Sequence, residues 1–154
     1  MNNVLEVKGL CKSYPKFKLT DVSFNVPKGS ITGFIGRNGA GKTTTLKSIM
    51  NLLHYDKGDV IIFNKNMLTS ELEAKQDIAF SLSEINYYPN VTIDKLTKVT
   101  SKFYKNFSYE TFNRLCKHFN LDTSKKLEQL SSGMKVKYSL AVALSHDAKL
   151  LILD

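Results

Sequence analysis

The sequence predicts an α/β fold with a helical insert. Three observations lead there. Strand-like and helix-like segments alternate along the chain. A glycine-rich loop, Gly36-Arg37-Asn38-Gly39-Ala40-Gly41-Lys42-Thr43, lies between a strand pattern and a helix pattern. The last apolar run, Leu150 to Leu153, is continuous, as in a strand buried on both faces of a parallel sheet.

Each element has its own local reason. Leu5 to Lys8 alternates apolar and polar residues, as a half-buried strand does. Val22, Phe24 and Val26 alternate with Ser23 and Asn25 in a second strand, and Pro27-Lys28-Gly29 supplies the turn after it. Ile31 to Ile35 reads as a third short strand running into the glycine loop. Leu46, Ile49, Met50 and Leu53 then mark one apolar helix face. Lys57-Gly58-Asp59 closes that segment, and strands follow at Val60 to Phe63 and Ile78 to Leu82. From Thr92 to Phe119 the pattern turns helical and rich in Phe, Tyr and Lys. Ile93, Leu96, Phe103 and Phe107 share one helix face. Ser108 is a natural N-cap for the next helix, whose apolar side carries Phe112, Leu115, Cys116 and Phe119. A final helix at about 132–145 turns Val136, Leu140, Ala143 and Leu144 inward. Asp154 is the first polar residue at the carboxyl end of the last strand, the edge where open α/β sheets bind ligands. A chain seldom ends there, which predicts truncation.

Composition narrows the classes. The 154 residues suit one domain, and 42% apolar with 23% charged residues excludes a disordered chain. Twenty-two basic residues against 14 acidic ones give a net charge of +8 and a pI of about 9.4. That excess favours anionic partners, although a solvated basic surface gives the same sum. Cys11 and Cys116 have neither a CxxC partner nor metal spacing and read as free thiols in a reducing compartment. The N-terminus lacks a signal-peptide pattern, and no run approaches the roughly 18 apolar residues of a membrane span. His54, His118 and His146 read as surface or helix-flank residues.

The loop carries the sharpest chemistry. Gly36 to Thr43 matches G-x-x-x-x-G-K-[ST], a pattern that arises by chance in a chain of this length under roughly 1% of the time. Glycines let backbone approach phosphate closely, successive amides form an anion nest, and the following helix N-terminus adds partial positive charge. Lys42 is placed to reach β- and γ-phosphates, and the Thr43 hydroxyl to ligate Mg²⁺. A bare capping turn has no need of Lys42.

Two further motifs stand downstream. Leu130-Ser131-Ser132-Gly133-Met134 opens the last helix, and Lys149-Leu150-Leu151-Ile152-Leu153-Asp154 is an apolar strand ending in aspartate. This order resembles the ATP-binding cassette (ABC) family, specifically the nucleotide-binding subunits of ABC transporters. The resemblance runs from the first strand to Asp154. It implies a P-loop NTPase of ABC type, with a mostly parallel core sheet, an N-terminal antiparallel β layer and a helical subdomain. Residues 1–154 then form one incomplete ATP-binding domain, with 1–89 and 126–154 as nucleotide-binding core and 90–125 as helical subdomain.

The resemblance also implies roles. ATP contacts fall on Tyr14, Gly36, Arg37, Asn38, Gly39, Ala40, Gly41, Lys42, Thr43, Thr44, Ser131 and Gly133, with Lys42 acting on the reacting phosphates. Mg²⁺ falls to Thr43, Glu84 and Asp154. Tyr14 stands where the family stacks an aromatic on adenine; by itself such a tyrosine is more often a half-buried strand-end residue. Residues 130–134 look like the family signature LSGGQ with Ser132 and Met134 as departures, and a pentapeptide of this kind by itself is a helix N-cap. Glu84 occupies the place of a family glutamine and reads alternatively as a solvated carboxylate. The aromatics Tyr87, Tyr88, Phe103 and Phe107 are expected in a core. The implied function is an ATP-hydrolysing subunit that powers a separate transmembrane permease; the short strand expected at 31–35 and an exporter-like Glu84 favour export. It implies a homo- or heterodimer of ATP-binding subunits, at the cytoplasmic face of the cell membrane, with no direct nucleic-acid partner. The family glutamate after the strand-end aspartate is not within these residues, so the 154-residue chain is expected to be inactive. A soluble ABC-type ATPase working on nucleic acid or ribosomes and a non-hydrolysing nucleotide-binding module are the alternatives.

Overall fold

The computed structural model describes residues 2–81 and 88–154. These form two compact units, Met1–Lys75 and Gln76–Asp154.

The first unit is built on a four-stranded antiparallel sheet in the order β2-β1-β3-β4. β1 (Asn3–Tyr14) and β2 (Phe17–Pro27) form a long hairpin, with Leu5 opposite Val26 and Tyr14 opposite Phe17. β3 (Lys57–Ile62) pairs with the other edge of β1, Leu5 opposite Ile62 and Val7 opposite Val60. The two-residue β4 (Lys65–Asn66) closes the edge. Leu5, Val7 and Leu10 of β1 meet Val60 and Ile62 in the core. The change from odd to even positions follows a register irregularity between Val7 and Leu10. Both early strands are longer than their alternation predicts. Lys57-Gly58-Asp59 lies inside β3 rather than closing the preceding segment.

The predicted strand at Ile31–Ile35 does not form. Residues 31–37 have no regular structure, and Ile31 and Ile35 are solvent-exposed. A short apolar run only permits a strand; the backbone still needs a ladder partner, and no described residue pairs with 31–35. Phe34 instead leans on Phe24, ring centroids 5.3 Å apart. α1 (Lys42–Ile49) buries Thr45, Ser48 and Ile49 and ends before Leu53, so the apolar face read from the sequence is only partly used. A short helix, α2 (Glu71–Gln76), was not evident in the sequence and buries Ala74.

The second unit pairs β5 (Ile78–Ser81) with β6 (Leu150–Leu153) in parallel, Ile78 opposite Leu150. Lys149 Nζ bonds Asp77 Oδ1 at 2.7 Å where the two strands begin. β6 is buried only at alternate residues: Leu150 and Ile152 face inward, whereas Leu151 and Leu153 are exposed. A continuous apolar run therefore marks a strand here without full burial in this pair. The α/β class holds, with an antiparallel layer, a parallel pair and helices.

Helices α3 (Ile93–Thr100), α4 (Tyr109–Phe119) and α5 (Ser132–Leu144) share one core of Ile93, Phe112, Cys116, Leu121, Leu127 and Tyr138 with their neighbours. α4 follows the sequence closely: Phe112 and Cys116 are buried, Leu115 and Phe119 pack beside them, and Ser108 caps the helix by accepting from Thr111 N–H at 3.1 Å. Ser108→Ala is expected to destabilise the protein by about 1 kcal/mol, read as a lower midpoint in chemical denaturation.

Other expectations are corrected. α3 stops at Thr100, and a 3₁₀ turn at Ser101–Phe103 swings Phe103 into solvent, 70% exposed. Phe107 still reaches the core, 6.1 Å from the Phe112 ring. Tyr88 is exposed rather than core, and Tyr87 lies outside the described residues. In α5, Val136 and Leu144 face outward, and Tyr138, Ala141 and Ala143 face the core. That helix is apolar nearly all round, so periodicity does not select a face. His146 is buried, not surface: its ring stacks on Tyr104 with centroids 3.8 Å apart, and desolvation lowers its pKa. Both cysteines are free, Cys11 half-buried and Cys116 buried.

Candidate functional site

The glycine-rich loop and its helix belong to the first unit. Gly41 starts α1 from a left-handed φ of +94°, and a Cβ there would stand 2.7 Å from Phe17 Cζ and 3.0 Å from Leu19 Cδ1. Glycine thus lets β2 press directly against the start of the helix. Thr45 fastens the first turn, donating through both N–H (2.8 Å) and Oγ1 (2.9 Å) to Gly41 O.

Lys42 turns back into the loop. Its ammonium donates to Gly36 O at 2.8 Å and Arg37 O at 3.0 Å, while Ala40 N–H donates to Arg37 O at 3.1 Å. The loop from Gly36 to Ala40, including Asn38 and Gly39, is exposed. α1 has no acidic residue in its first turn, so its N-terminal partial positive charge is uncompensated there. A lysine ammonium and a helix N-terminus thereby lie beside one exposed loop, an arrangement suited to a polyanion. Thr43 is exposed on this first turn, and Thr44 beside it is half-buried.

Tyr14 ends β1 at the hairpin tip, 38% exposed. Its ring centroid lies 6.4 Å from that of Phe17 and 5.6 Å from Lys12 Nζ. Phe17 therefore touches both parts: it flanks Tyr14, and it sits where a Gly41 side chain would go. The sequence reading missed it. The available signal was a second aromatic directly across the Pro15-Lys16 turn from Tyr14.

Ser131, Gly133 and Asp154 belong to the second unit. Ser131 caps α5, its Oγ accepting from Met134 N–H at 3.3 Å. Ser132 and Gly133 are exposed, Gly133 has open space where a side chain would stand, and the first turn of α5 carries no acidic residue. Neither departure from the signature, Ser132 or Met134, prevents the helix from starting there. Asp154 follows β6, exposed, with its N–H donating to Ser81 O at 3.1 Å. Glu84 lies outside the described residues. Among the described residues no group of three or more His, Cys, Asp or Glu comes together to hold a metal ion, and no helix is long and apolar enough to cross a membrane.

The family-wide sequence pattern described as "ABC transporter" matches residues 19–154. The chain belongs to the ABC transporter family. It is 32% identical over 136 residues to the ABC transporter ATP-binding protein YtrB of Bacillus subtilis (strain 168), covering 88% of this chain and 46% of that protein. It is 31% identical to the bacitracin transport ATP-binding protein BcrA of Bacillus licheniformis, covering 100% of this chain and 51% of that protein. The chain thus spans about half the length of the curated relatives it matches. Among solved structures, one described as the ATP-binding subunit of an ABC transporter superposes with a TM-score of 0.85 at 28% identity, over 98% of this chain and 65% of the other. A putative ABC transporter ATP-binding protein from Pyrococcus furiosus gives 0.77 at 29% identity, over 97% and 74%.

Proposed function

We propose that this chain carries the ATP-binding half of an ABC transporter ATPase that works with a separate membrane-spanning permease. The observation that carries the reading is Lys42, held inside the Gly36–Gly41 loop at the positive end of α1. Backbone carbonyls are neutral acceptors; a phosphate oxygen is a stronger one and takes their place on the ammonium. The loop amides and Lys42 then bind the triphosphate, while Tyr14 stacks on adenine. Mg²⁺ is a hard cation that takes oxygen ligands and tolerates water for the remainder. The family resemblance assigns that role to the side-chain oxygens of Thr43, Glu84 and Asp154. The ion supplies neutralisation of phosphate charge. Hydrolysis proceeds as water attacks the γ-phosphate in line, with Lys42 and the loop amides stabilising the charge on the transferred group. Ser131 and Gly133 offer a hydroxyl and open backbone at a helix N-terminus to the γ-phosphate of a second ATP-binding subunit.

Residues 90–125 are read as the helical subdomain that meets the permease at the cytoplasmic side of the membrane. Relatives named for bacitracin transport, multidrug transport and linearmycin resistance support a role in export. Isolation of the tagged chain from detergent-solubilised membranes is expected to bring down a multi-span membrane protein.

Adenine stacking has its own test. Base–aromatic stacking is worth roughly 1–3 kcal/mol per base. Tyr14→Ala is therefore expected to weaken ATP binding about 5- to 100-fold and to leave binding of inorganic tripolyphosphate unchanged, both by calorimetry with Mg²⁺. An equal loss for the two ligands would remove Tyr14 from the base site.

A further inference from the structure

We infer that Asp56 is the positioning residue of the base platform: it locks the end of β1 so that the Tyr14 ring is pre-set for stacking. The inference rests on the reading of Tyr14 as the adenine contact.

Asp56 lies directly ahead of β3, and its three bonds fall on three consecutive residues of β1. Its backbone N–H donates to Cys11 O at 2.8 Å. Its Oδ1 accepts from Lys12 Nζ at 3.0 Å, and its Oδ2 from Ser13 N–H at 2.7 Å. The next residue along is Tyr14.

The placement has a structural logic. The β1–β3 ladder ends with Cys11 opposite Lys57. Beyond that point β1 continues for Lys12, Ser13 and Tyr14 with β2 as its ladder neighbour, Ser13 opposite Lys18 and Tyr14 opposite Phe17. The Asp56 carboxylate takes over from β3 there, replacing a ladder carbonyl with a charged acceptor for Ser13 N–H. The other carboxylate oxygen fixes Lys12, whose side chain is only 16% exposed and whose ammonium sits 5.6 Å from the centre of the Tyr14 ring. Phe17 flanks the same ring at 6.4 Å. The ring is thus held by backbone through Ser13, by a cation through Lys12 and by an aromatic through Phe17. The Lys12 ammonium and the Ser13 N–H, with His54 nearby, keep the Asp56 carboxyl below its usual range, so the tie stays charged at neutral pH.

A platform contributes in full only when its orientation is settled before the ligand arrives. Without Asp56 the Ser13 N–H and the Lys12 ammonium turn to water, and the ring samples orientations that stacking must then collect. The triphosphate does not engage the ring, so its own binding is insensitive to that freedom.

The test measures ATP and inorganic tripolyphosphate affinities by calorimetry, with Mg²⁺, in the full chain and in Asp56→Ala, Tyr14→Ala and the double variant. Asp56→Ala is expected to weaken ATP roughly three- to tenfold, leave tripolyphosphate unchanged, and have no further effect once Tyr14 is alanine. If the alanine variant fails to fold, Asp56→Asn, which keeps an acceptor but loses the charge, is read by the same criteria. Four results would overturn the inference. Equal losses for both ligands, or an Asp56 effect that persists without Tyr14, would mark plain structural damage. An ATP loss for Tyr14→Ala with none for Asp56→Ala would leave the adenine reading standing and remove Asp56 from it. No change of the ATP-to-tripolyphosphate ratio in Tyr14→Ala would overturn the adenine reading itself, and this inference with it.

Discussion

Lys42→Ala is expected to weaken binding of ATP with Mg²⁺ by about 10- to 100-fold, with the fold intact. A hydrogen bond to a charged group contributes about 1.5–3 kcal/mol, and each 1.4 kcal/mol is a factor of ten in affinity. The ammonium is poised rather than spent. Its acceptors, Gly36 O at 2.8 Å and Arg37 O at 3.0 Å, belong to an exposed stretch of loop, where water replaces the lost donor at little cost. The variant should therefore melt within about 0.5 kcal/mol of the parent, as surface changes do. The loop itself is fastened elsewhere, by Thr45 on Gly41 O and by β2 pressing on Gly41. Calorimetry on the two proteins, with a denaturation curve for each, separates binding from folding. Unchanged ATP affinity in a folded Lys42→Ala protein would remove the loop from the nucleotide site.

The reach of the sequence is uneven for a physical reason. Features that depend on neighbours a few residues apart were legible. The glycine loop announces its turn, its helix and its cation within eight residues, Gly36 to Thr43. Ser108 caps α4 through Thr111, three residues on, and the α4 face repeats at helical spacing. Features that depend on a distant partner were not. Ile31 to Ile35 is short and apolar like a strand but finds no ladder among the described residues. Val136 and Leu144 lie on a helix apolar on most sides, where tertiary packing alone decides what is inward. His146 is flanked by polar residues in sequence, yet it is buried, with Tyr104 stacked on its ring. The supports of the candidate base site are of the second kind. Phe17 matters because Gly41 is beneath it, and Asp56 reaches Ser13 across a separation of 43 residues.

Gly58→Ala is expected to be the most destabilising single-methyl change in the first unit, lowering stability by roughly 3 kcal/mol or more. Gly58 lies in β3 with φ +102°, and a Cβ there would stand 2.6 Å from both Gly9 O and Lys8 O. Those are backbone atoms of β1, so no rotamer change relieves the contact; one strand must move from the other. Gly29 is the natural comparison. It too has a positive φ, +74°, but nothing lies within 4 Å of its Cβ position. Gly29→Ala therefore carries conformational strain alone, roughly 1–2 kcal/mol. The difference between the two variants isolates the steric part, and for a unit of this size it corresponds to roughly 4–8 °C in melting midpoint per kcal/mol. Displacing β3 from β1 at Gly58 also pulls at Asp56, two residues earlier, and so at the tie on Ser13. Gly58→Ala is then expected to lose ATP affinity beyond its loss of tripolyphosphate affinity, whereas Gly29→Ala loses neither. Equal stabilities for the two alanine variants would mean that β1 and β3 do not approach at Gly58 as closely as described.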